Sequence, residues 1–330
     1  MGVRVDNLNL YKKDMYTVER EGRTELPTVS DKVYFVKTAV TGAGDKESLV
    51  LGAGPLKRHR SEGEGVDFGS PANGWDFLTN YWTYSSGLVF SMEAVEDTVK
   101  LGNLLKDLAR TWGRQVRIAQ ETLCARPFNE GGTTAGDWSF NGTHTGNTDA
   151  SGDLMYDSIN LFAVSGSGFS KKDGTEYYNS VASIGDADPA NFRTIYILHT
   201  ETNAFDERGD RCENMANTVL VKSKADVWDW KRILETPPSQ GLPGSQNNDI
   251  NPYYGEIDNI LSWRYLDDAA DVFYMFQAGS RAMQLHKRKQ PQIRFFRDEN
   301  NLSFKVSINT RMGLLFRDHA AITRGGGTTT

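Results

Sequence analysis

Only two cysteines, Cys124 and Cys212, occur in 330 residues, far apart and with neither a CxxC pair nor a histidine ladder beside them. That excludes a disulfide-stapled scaffold and argues against a thiolate zinc site, since both need cysteines in number or at close spacing. A reducing compartment fits this usage. Long apolar runs are also missing: nothing approaches the roughly 20 residues that cross a bilayer. The opening MGVRVDNLNLYKKDM lacks the apolar core of a secretory leader, and Asp6 occupies the place where a myristoylation motif has Ser or Thr. The expectation is a soluble chain with no membrane partner. Without a secretory route the sequon Asn141-Gly142-Thr143 carries no message. A basic excess is absent too: 37 Lys and Arg face 43 Asp and Glu, a net charge of −6. A duplex-gripping protein would have the opposite sign.

The signatures of common chemistry are missing as well. There is no HExxH, GxSxG or GxGxxG. The run Gly42-Ala43-Gly44-Asp45-Lys46-Glu47-Ser48 is the nearest thing to a phosphate loop, but Asp45 and Glu47 would repel the phosphates such a loop cradles. The five histidines, His59, His144, His199, His286 and His319, share no metal-ligand spacing. His199-Thr200-Glu201 resembles part of a zinc deaminase motif without its PCxxC partner, so a core or surface histidine is the plainer reading. The acidic loop Glu201, Asp206, Glu207, Asp210 and Glu213 has the hard oxygens that calcium favours, in a spacing that matches no ligand loop; a solvated acidic loop explains it equally. These absences predict no enzyme, cofactor or metal site.

What is present is an unusual order of segments. Residues 1–32 are polar and charged, too poor in apolar positions to build a core, and are expected to drape over another surface as an N-terminal arm. Val33 to Val40 and residues 81–90 have the aromatic and β-branched content of strands. Between them residues 42–74 carry eight glycines and a charged cluster, Lys57-Arg58-His59-Arg60 followed by Glu62 and Glu64. This predicts a long two-stranded excursion whose tip meets something outside the subunit. Lys57, Arg58, Arg60, Glu62, Glu64 and Trp75 are the candidate inter-subunit contacts; anion binding and plain solvation are the other readings of the basic cluster.

Met92, Val95, Val99, Leu105, Leu108, Trp112, Val116, Ala119 and Leu123 then recur at steps of three and four, the stripe of one amphipathic helix. Ser91 is its expected N-cap and Arg126-Pro127 its expected stop, giving a helix over 91–125, roughly 50 Å long, with a bend near Gly102 or Gly113. Residues 129–152 are turn formers and read as a surface loop. Beyond Leu154 the chain turns globular: strands are expected over 192–199, 216–222, Ile257 to Tyr265 and Val272 to Phe276, a short helix from Ser223 to Leu234, and an antiparallel pair over 291–323 about the turn at 297–300. Pro237-Pro238 to Asn251 reads as a polar loop.

That order, an arm, a Gly-rich hairpin, a spine helix and a mixed α/β region, resembles phage capsid subunits of the Hong Kong 97 fold. In detail the chain resembles the Mu-like major head subunit family. The likeness rests on Asn251-Pro252-Tyr253-Tyr254-Gly255-Glu256-Ile257, on Tyr265-Leu266-Asp267-Asp268 with Val272-Phe273-Tyr274, on Ala216-Asn217-Thr218-Val219-Leu220-Val221, and on Val306-Ser307-Ile308-Asn309-Thr310-Arg311-Met312-Gly313 leading to Arg317-Asp318 and Ala320-Ala321-Ile322. The resemblance implies an α+β fold with an arm (1–32), an extended loop with flanking strands (33–90), a peripheral domain with the spine helix (91–153), a mainly axial domain (154–290) and C-terminal strands returning to the peripheral domain (291–330). It implies a shell of pentamers and hexamers around double-stranded DNA, with residues 42–74 mobile in free subunits and ordered in shells. Implied partners are a portal protein, a decoration or cement protein and, because no helical delta segment precedes the arm, a separate scaffolding protein. Implied locations are the virion and, during assembly, the host bacterial cytoplasm. Lys57 could be imagined in the lysine-to-asparagine cross-link of some relatives, but no glutamate offers a recognisable catalytic context. An encapsulin-like compartment shares the fold and is the first alternative; a carbohydrate-binding protein using the seven tryptophans is the second.

Overall fold

A computed structural model describes residues 5–38, 40, 44–51, 72–91, 101–131, 161–165, 169–170, 176–182, 184, 187–205, 213–237, 251–267, 272–297, 303–316 and 320–326. The stripe of apolar residues forms one helix, α3, over Leu101–Glu130. Its expected beginning at 91 falls among residues 92–100, outside those described. Its end differs from expectation, because Pro127 lies inside the helix. The turn after Pro127 is held by tertiary packing: the buried Phe128 ring meets Tyr34, Trp263, Tyr274 and Phe276 at centroid distances of 6.3, 5.7, 5.0 and 6.3 Å. Burying that ring and its aromatic contacts is worth more than the backbone bond a proline forfeits.

The arm also departs from expectation. Val5–Thr24 is a helix, α1, lying along α3 of its own subunit. Met15 is wholly buried with Leu105, Ala109 and Trp112, and the Tyr16 hydroxyl donates to the carbonyl of Ile293 and accepts from its amide at 3.0 and 3.1 Å. Eight of its twenty residues are charged, which hid this apolar face. Gly113, expected to bend α3, is instead where α1 crosses it: a Cβ there would collide with the carbonyl oxygen of Glu19, and one on Gly22 would collide with that of Arg110.

After α1, a single turn of helix, α2 (Ser30–Val33), leads into a short strand, β1 (Phe35–Lys37), and then the hairpin strands β2 (Gly44–Leu51) and β3 (Ala72–Asn80). β4 (Trp82–Phe90) precedes α3, and two short strands, β5 (Phe169–Ser170) and β6 (Glu176–Tyr177), follow it. The rest comprises β7 (Ser180–Val181), α4 (Pro189–Ile197), β8 (Thr218–Val221), α5 (Lys224–Leu234), β9 (Asn259–Ser262), β10 (Phe273–Phe276), β11 (Met283–Arg297), β12 (Phe304–Phe316) and β13 (Ile322–Gly325).

Two larger sheets organise these elements. The first has order β1-β11-β12-β4, with β11 and β12 forming the expected C-terminal hairpin and beginning earlier, at Met283. Ile293, Phe304, Val306 and Ile308 alternate onto the face that α1 and α3 cover. The second has order β7-β13-β10-β8-β9. Its central strands, TVLV and FYMF, are buried on both sides, as uninterrupted apolar strands must be. Val219, Phe273 and Met275 face α4 and α5, whereas Leu220, Tyr274 and Phe276 join the core around Phe128 that both sheets share. Of the strands expected over 291–330, β12 therefore lies in the first sheet and β13 in the second.

Residues 192–199, read as a strand, are helical. Asp188 caps α4 by accepting from the amide of Ala190 at 3.3 Å, and Pro189 opens its first turn. Phe192 and Ile195 then share one buried face, and a π-helical turn over Leu198–Thr202 follows. The short helix after Ser223 is as expected, with a capping box between Ser223 and Asp226.

Candidate assembly surfaces

Among the described residues β2 and β3 form strand pairs only with each other, from Gly44 opposite Asn80 to Leu51 opposite Ala72. This is the extended hairpin read from the glycines. Lys57, Arg58, Arg60, Glu62 and Glu64 lie outside the described residues, so the candidate contacts at its tip have no described position. Trp75 lies on β3 at a bulge, where the register passes from Ser48–Asp76 to Val50–Asn73. The phosphate-loop look-alike is part of this hairpin: Gly44 to Ser48 is strand, with no helix N-terminus behind it to receive an anion.

Several side chains hold the root of the hairpin, and nothing in the sequence singled it out. Tyr81, the one residue between β3 and β4, is buried and bonds through its hydroxyl to Nδ1 of His286 at 2.9 Å. Nε2 of His286 meets Oε1 of Gln284 at 3.0 Å, and Gln284 donates to the carbonyl of Arg281. The Arg288 guanidinium covers the Tyr81 ring at 5.6 Å, and Nε of Arg311 donates to the Tyr81 carbonyl at 3.2 Å. Two strands of the first sheet thus grip the point from which the hairpin leaves.

A second polar cluster joins the spine helix to the second sheet. Glu121, buried on α3, accepts from the Ser30 hydroxyl and from the indole N–H of Trp263, each at 2.7 Å, and from the Ser30 amide at 3.3 Å. Next to it Asp31 takes Lys287 at 2.8 Å and Arg117 at 3.1 Å. Burial opposes ionisation of Asp31, but the two cations outweigh it and hold the carboxyl below its usual range. Burial, with the nearby Glu121 charge, pushes the Cys124 thiol well up, so this cysteine is an inert packing residue.

Apolar side chains also reach solvent. Trp228 is 67 % exposed on α5, whereas Trp112, Trp230 and Trp263 are buried. An open cavity of about 730 Å³ beside α4 is bordered by Tyr178, Pro189, Arg193, Ile197 and Tyr253. Among the described residues that line it, no nucleophile is paired with a base. His199 is buried behind it, Nδ1 against the Thr323 hydroxyl at 2.9 Å, and burial pulls its pKa down to about 4. It is a core histidine. Glu201 and Glu213 are exposed, and the intervening acidic residues 206–212 lie outside the described residues. Among the described residues no cluster of potential ligands could hold a metal, and no helix is long and apolar enough to cross a membrane.

No sequence-family profile matches the chain, and no curated protein sequence does. Solved structures do. The virus-like particle from Pyrococcus furiosus matches over 95 % of this chain and 98 % of its own, with a TM-score of 0.52 at 8 % identity. The chain has the Hong Kong 97 capsid fold. A structure from Mycobacterium phage Che8 matches over 91 % and 93 % of the two chains, with a TM-score of 0.50 at 14 % identity. The capsid of Myoviridae phage XM1 covers 93 % and 98 %, with a TM-score of 0.50 at 9 % identity. In this capsid-fold chain the spine helix is α3 and the extended loop is the β2–β3 hairpin. Identities this low speak for fold alone.

Proposed function

We propose that the chain is the major capsid protein of a tailed bacteriophage, of the kind of the Mu-like head subunits. The observation that carries this reading is the two-way coverage by a structure from Mycobacterium phage Che8 and by the capsid of phage XM1, at least 91 % of every chain compared. A structural role suits the surfaces above: a hairpin that, among the described residues, joins neither larger sheet, anchored firmly at its root, suits a tile. Pentamers and hexamers would form through an axial layer made of the second sheet with α4 and α5, with residues 33–90 reaching a neighbour and the closed shell enclosing DNA without reading its sequence. Lys57, Arg58, Arg60, Glu62, Glu64 and Trp75 remain the proposed contacts of the hairpin. Residues 91–153 and 291–330 would then supply most of the peripheral domain and 154–290 most of the axial one. A separate scaffolding protein, a portal and a decoration or cement protein complete the proposed partners, with assembly in the host cytoplasm and residence in the virion. No catalytic step is assigned to it.

An encapsulin-like compartment is the second reading, favoured by the match to the virus-like particle of Pyrococcus furiosus. Sugar binding has less support, since Trp112, Trp230 and Trp263 are packing residues. Sedimentation of the purified full-length chain across ionic strength and concentration tests the proposal. Megadalton particles are expected. Particles that recruit a neighbouring-gene enzyme and no portal would favour the compartment, and a compact monomer under every condition would refute both.

A further inference from the structure

α1 carries its two signs of charge on different sides. Asp14, Glu21 and the following Glu25 turn to α3, where Lys106, Arg110 and Arg114 meet them, and Glu19 pairs with Arg23 one turn away. From Lys12 onwards every acidic side chain of the helix is thereby matched inside the subunit. The bases are not. Among the described residues no carboxylate lies within ion-pair distance of Lys12, Lys13 or Arg20, nor of Lys289 on the neighbouring strand.

Helical spacing collects these bases into one strip. Tyr16 marks the flank of α1 that lies on β11, through its two bonds to Ile293, and Arg23 reaches Gln290 of the same strand at 3.3 Å. Lys12 and Lys13 stand four and three residues before Tyr16 and Arg20 four after it, so they share that flank and the crest beside it. Lys13, Thr17 and Arg20 are exposed, and no large apolar side chain of α1 is. From Lys12 to Arg23 the strip runs about 17 Å at 1.5 Å per residue. The net charge of −6 concealed it, because an average over 330 residues does not say where each sign lies.

We infer that the crest of α1 meets the phosphates of the enclosed DNA, so that α1 faces the lumen of the shell. This rests on the shell-subunit reading above and adds to it a surface and the chemistry of its ligand. Unpaired Lys and Arg on one flank attract a polyanion without regard to its sequence. Over about 17 Å each strand of a duplex carries about five phosphates, enough for every base of the strip to find one. A protein partner needs an apolar anchor at the centre of its contact, and among the described residues the crest offers none.

Binding of a short fluorescent duplex of mixed sequence by the free full-length subunit, followed by anisotropy across salt concentration, tests this. The affinity of the wild type should fall steeply as salt rises. Lys12→Gln/Lys13→Gln/Arg20→Gln should weaken binding about tenfold and flatten the slope of log affinity against log salt by about 2 to 3, one unit for each phosphate contact removed. Lys224→Gln/Lys231→Gln/Arg232→Gln, at three exposed bases of α5, changes the net charge equally and should leave affinity and slope nearly as they were. Equal losses in the two variants, poly-glutamate bound as tightly as duplex, or no binding by the wild type overturn the inference. Should the crest variant not fold, Arg20→Gln alone reads the same slope, with a change of about 1 expected and no change overturning it. Sedimentation of the same proteins under assembling conditions separates this inference from the shell reading. The crest variant should form shells, and closed wild-type shells should bind added duplex no better than its shells do, because the crest is then enclosed. A crest variant that cannot assemble, or wild-type shells that hold added duplex more tightly, overturn the inference and leave the shell reading intact. A wild type that never forms shells overturns both.

Discussion

Gly113 on the spine helix lies against the main chain of Glu19 on α1, so near that a methyl group has no room: besides meeting the Glu19 oxygen, a Cβ would come within 2.9 Å of the Arg23 amide. Two effects of Gly113→Ala therefore oppose each other. Alanine gains about 1 kcal/mol of helix propensity. Overpacking against backbone, which cannot swing aside as a side chain can, costs about 1–3 kcal/mol. The second wins, and denaturant unfolding should show a lower midpoint for Gly113→Ala, and for Gly22→Ala at the reciprocal position. A higher midpoint would mean that α1 does not pack on α3 in solution.

The Glu121 cluster makes a larger prediction. Glu121→Ala leaves the Ser30 hydroxyl, the Ser30 amide and the Trp263 indole without their acceptor. Each orphaned buried donor costs about 1–3 kcal/mol, so the loss should exceed about 3 kcal/mol. Trp263→Phe keeps most of the packing and removes one donor, and should cost less than half as much. Ser30→Ala combined with Trp263→Phe should be non-additive in a double-mutant cycle, because the two donors share one carboxylate.

Acid should weaken the fold through His199. Its folded pKa, about 4, lies below the ordinary value of 6.5, so as pH falls the unfolded chain binds the proton first. The contribution of neutral His199 is complete above about pH 6.5 and is lost progressively down to about pH 4, by about 3 kcal/mol. Glu19 acts in the opposite sense, since burial raises its pKa and protonation on acidification then favours the fold. The comparison of wild type with His199→Gln isolates the histidine: the variant should lose less stability between pH 7 and pH 4.5. Parallel pH profiles for the two would refute the assignment.

Tyr81→Phe removes only a hydroxyl, yet it takes the bond to His286 from the root of the hairpin. We expect about 1 kcal/mol of lost stability. Faster hydrogen exchange should concentrate in residues 72–80, and unchanged exchange there would mean that the root is held by other contacts.

How far the sequence could reveal this structure depended on the distance between partners. The stripe from Leu105 to Leu123 is local, and it yielded the spine helix; the glycines about positions 42–74 likewise marked the hairpin. Ser223 and Asp226 announced α5 because a capping box spans only three residues. The end of α3 was misread because Phe128 is held by Trp263, Tyr274 and Phe276, more than a hundred residues away, and no local rule weighs that burial against Pro127. Helix α4 was misread as a strand because its aromatic and β-branched content obscured the Asp188-Pro189 start. α1 was misread as a bare arm since its charges Asp14 and Glu21, with Glu25 just past its end, answer Lys106, Arg110 and Arg114 on α3. At the candidate assembly surfaces the pattern repeats: Tyr81 and His286 are 205 residues apart, and the edge of β4 becomes visible only when the order of strands is known.

Cryo-electron microscopy of the purified full-length chain under assembling conditions tests the central claim most directly. The account predicts closed icosahedral shells whose vertices are five-fold rings and whose faces are six-fold rings, with α3 recognisable as a rod in each subunit. Monodisperse single subunits at every concentration and ionic strength, or open aggregates without five-fold vertices, would contradict it.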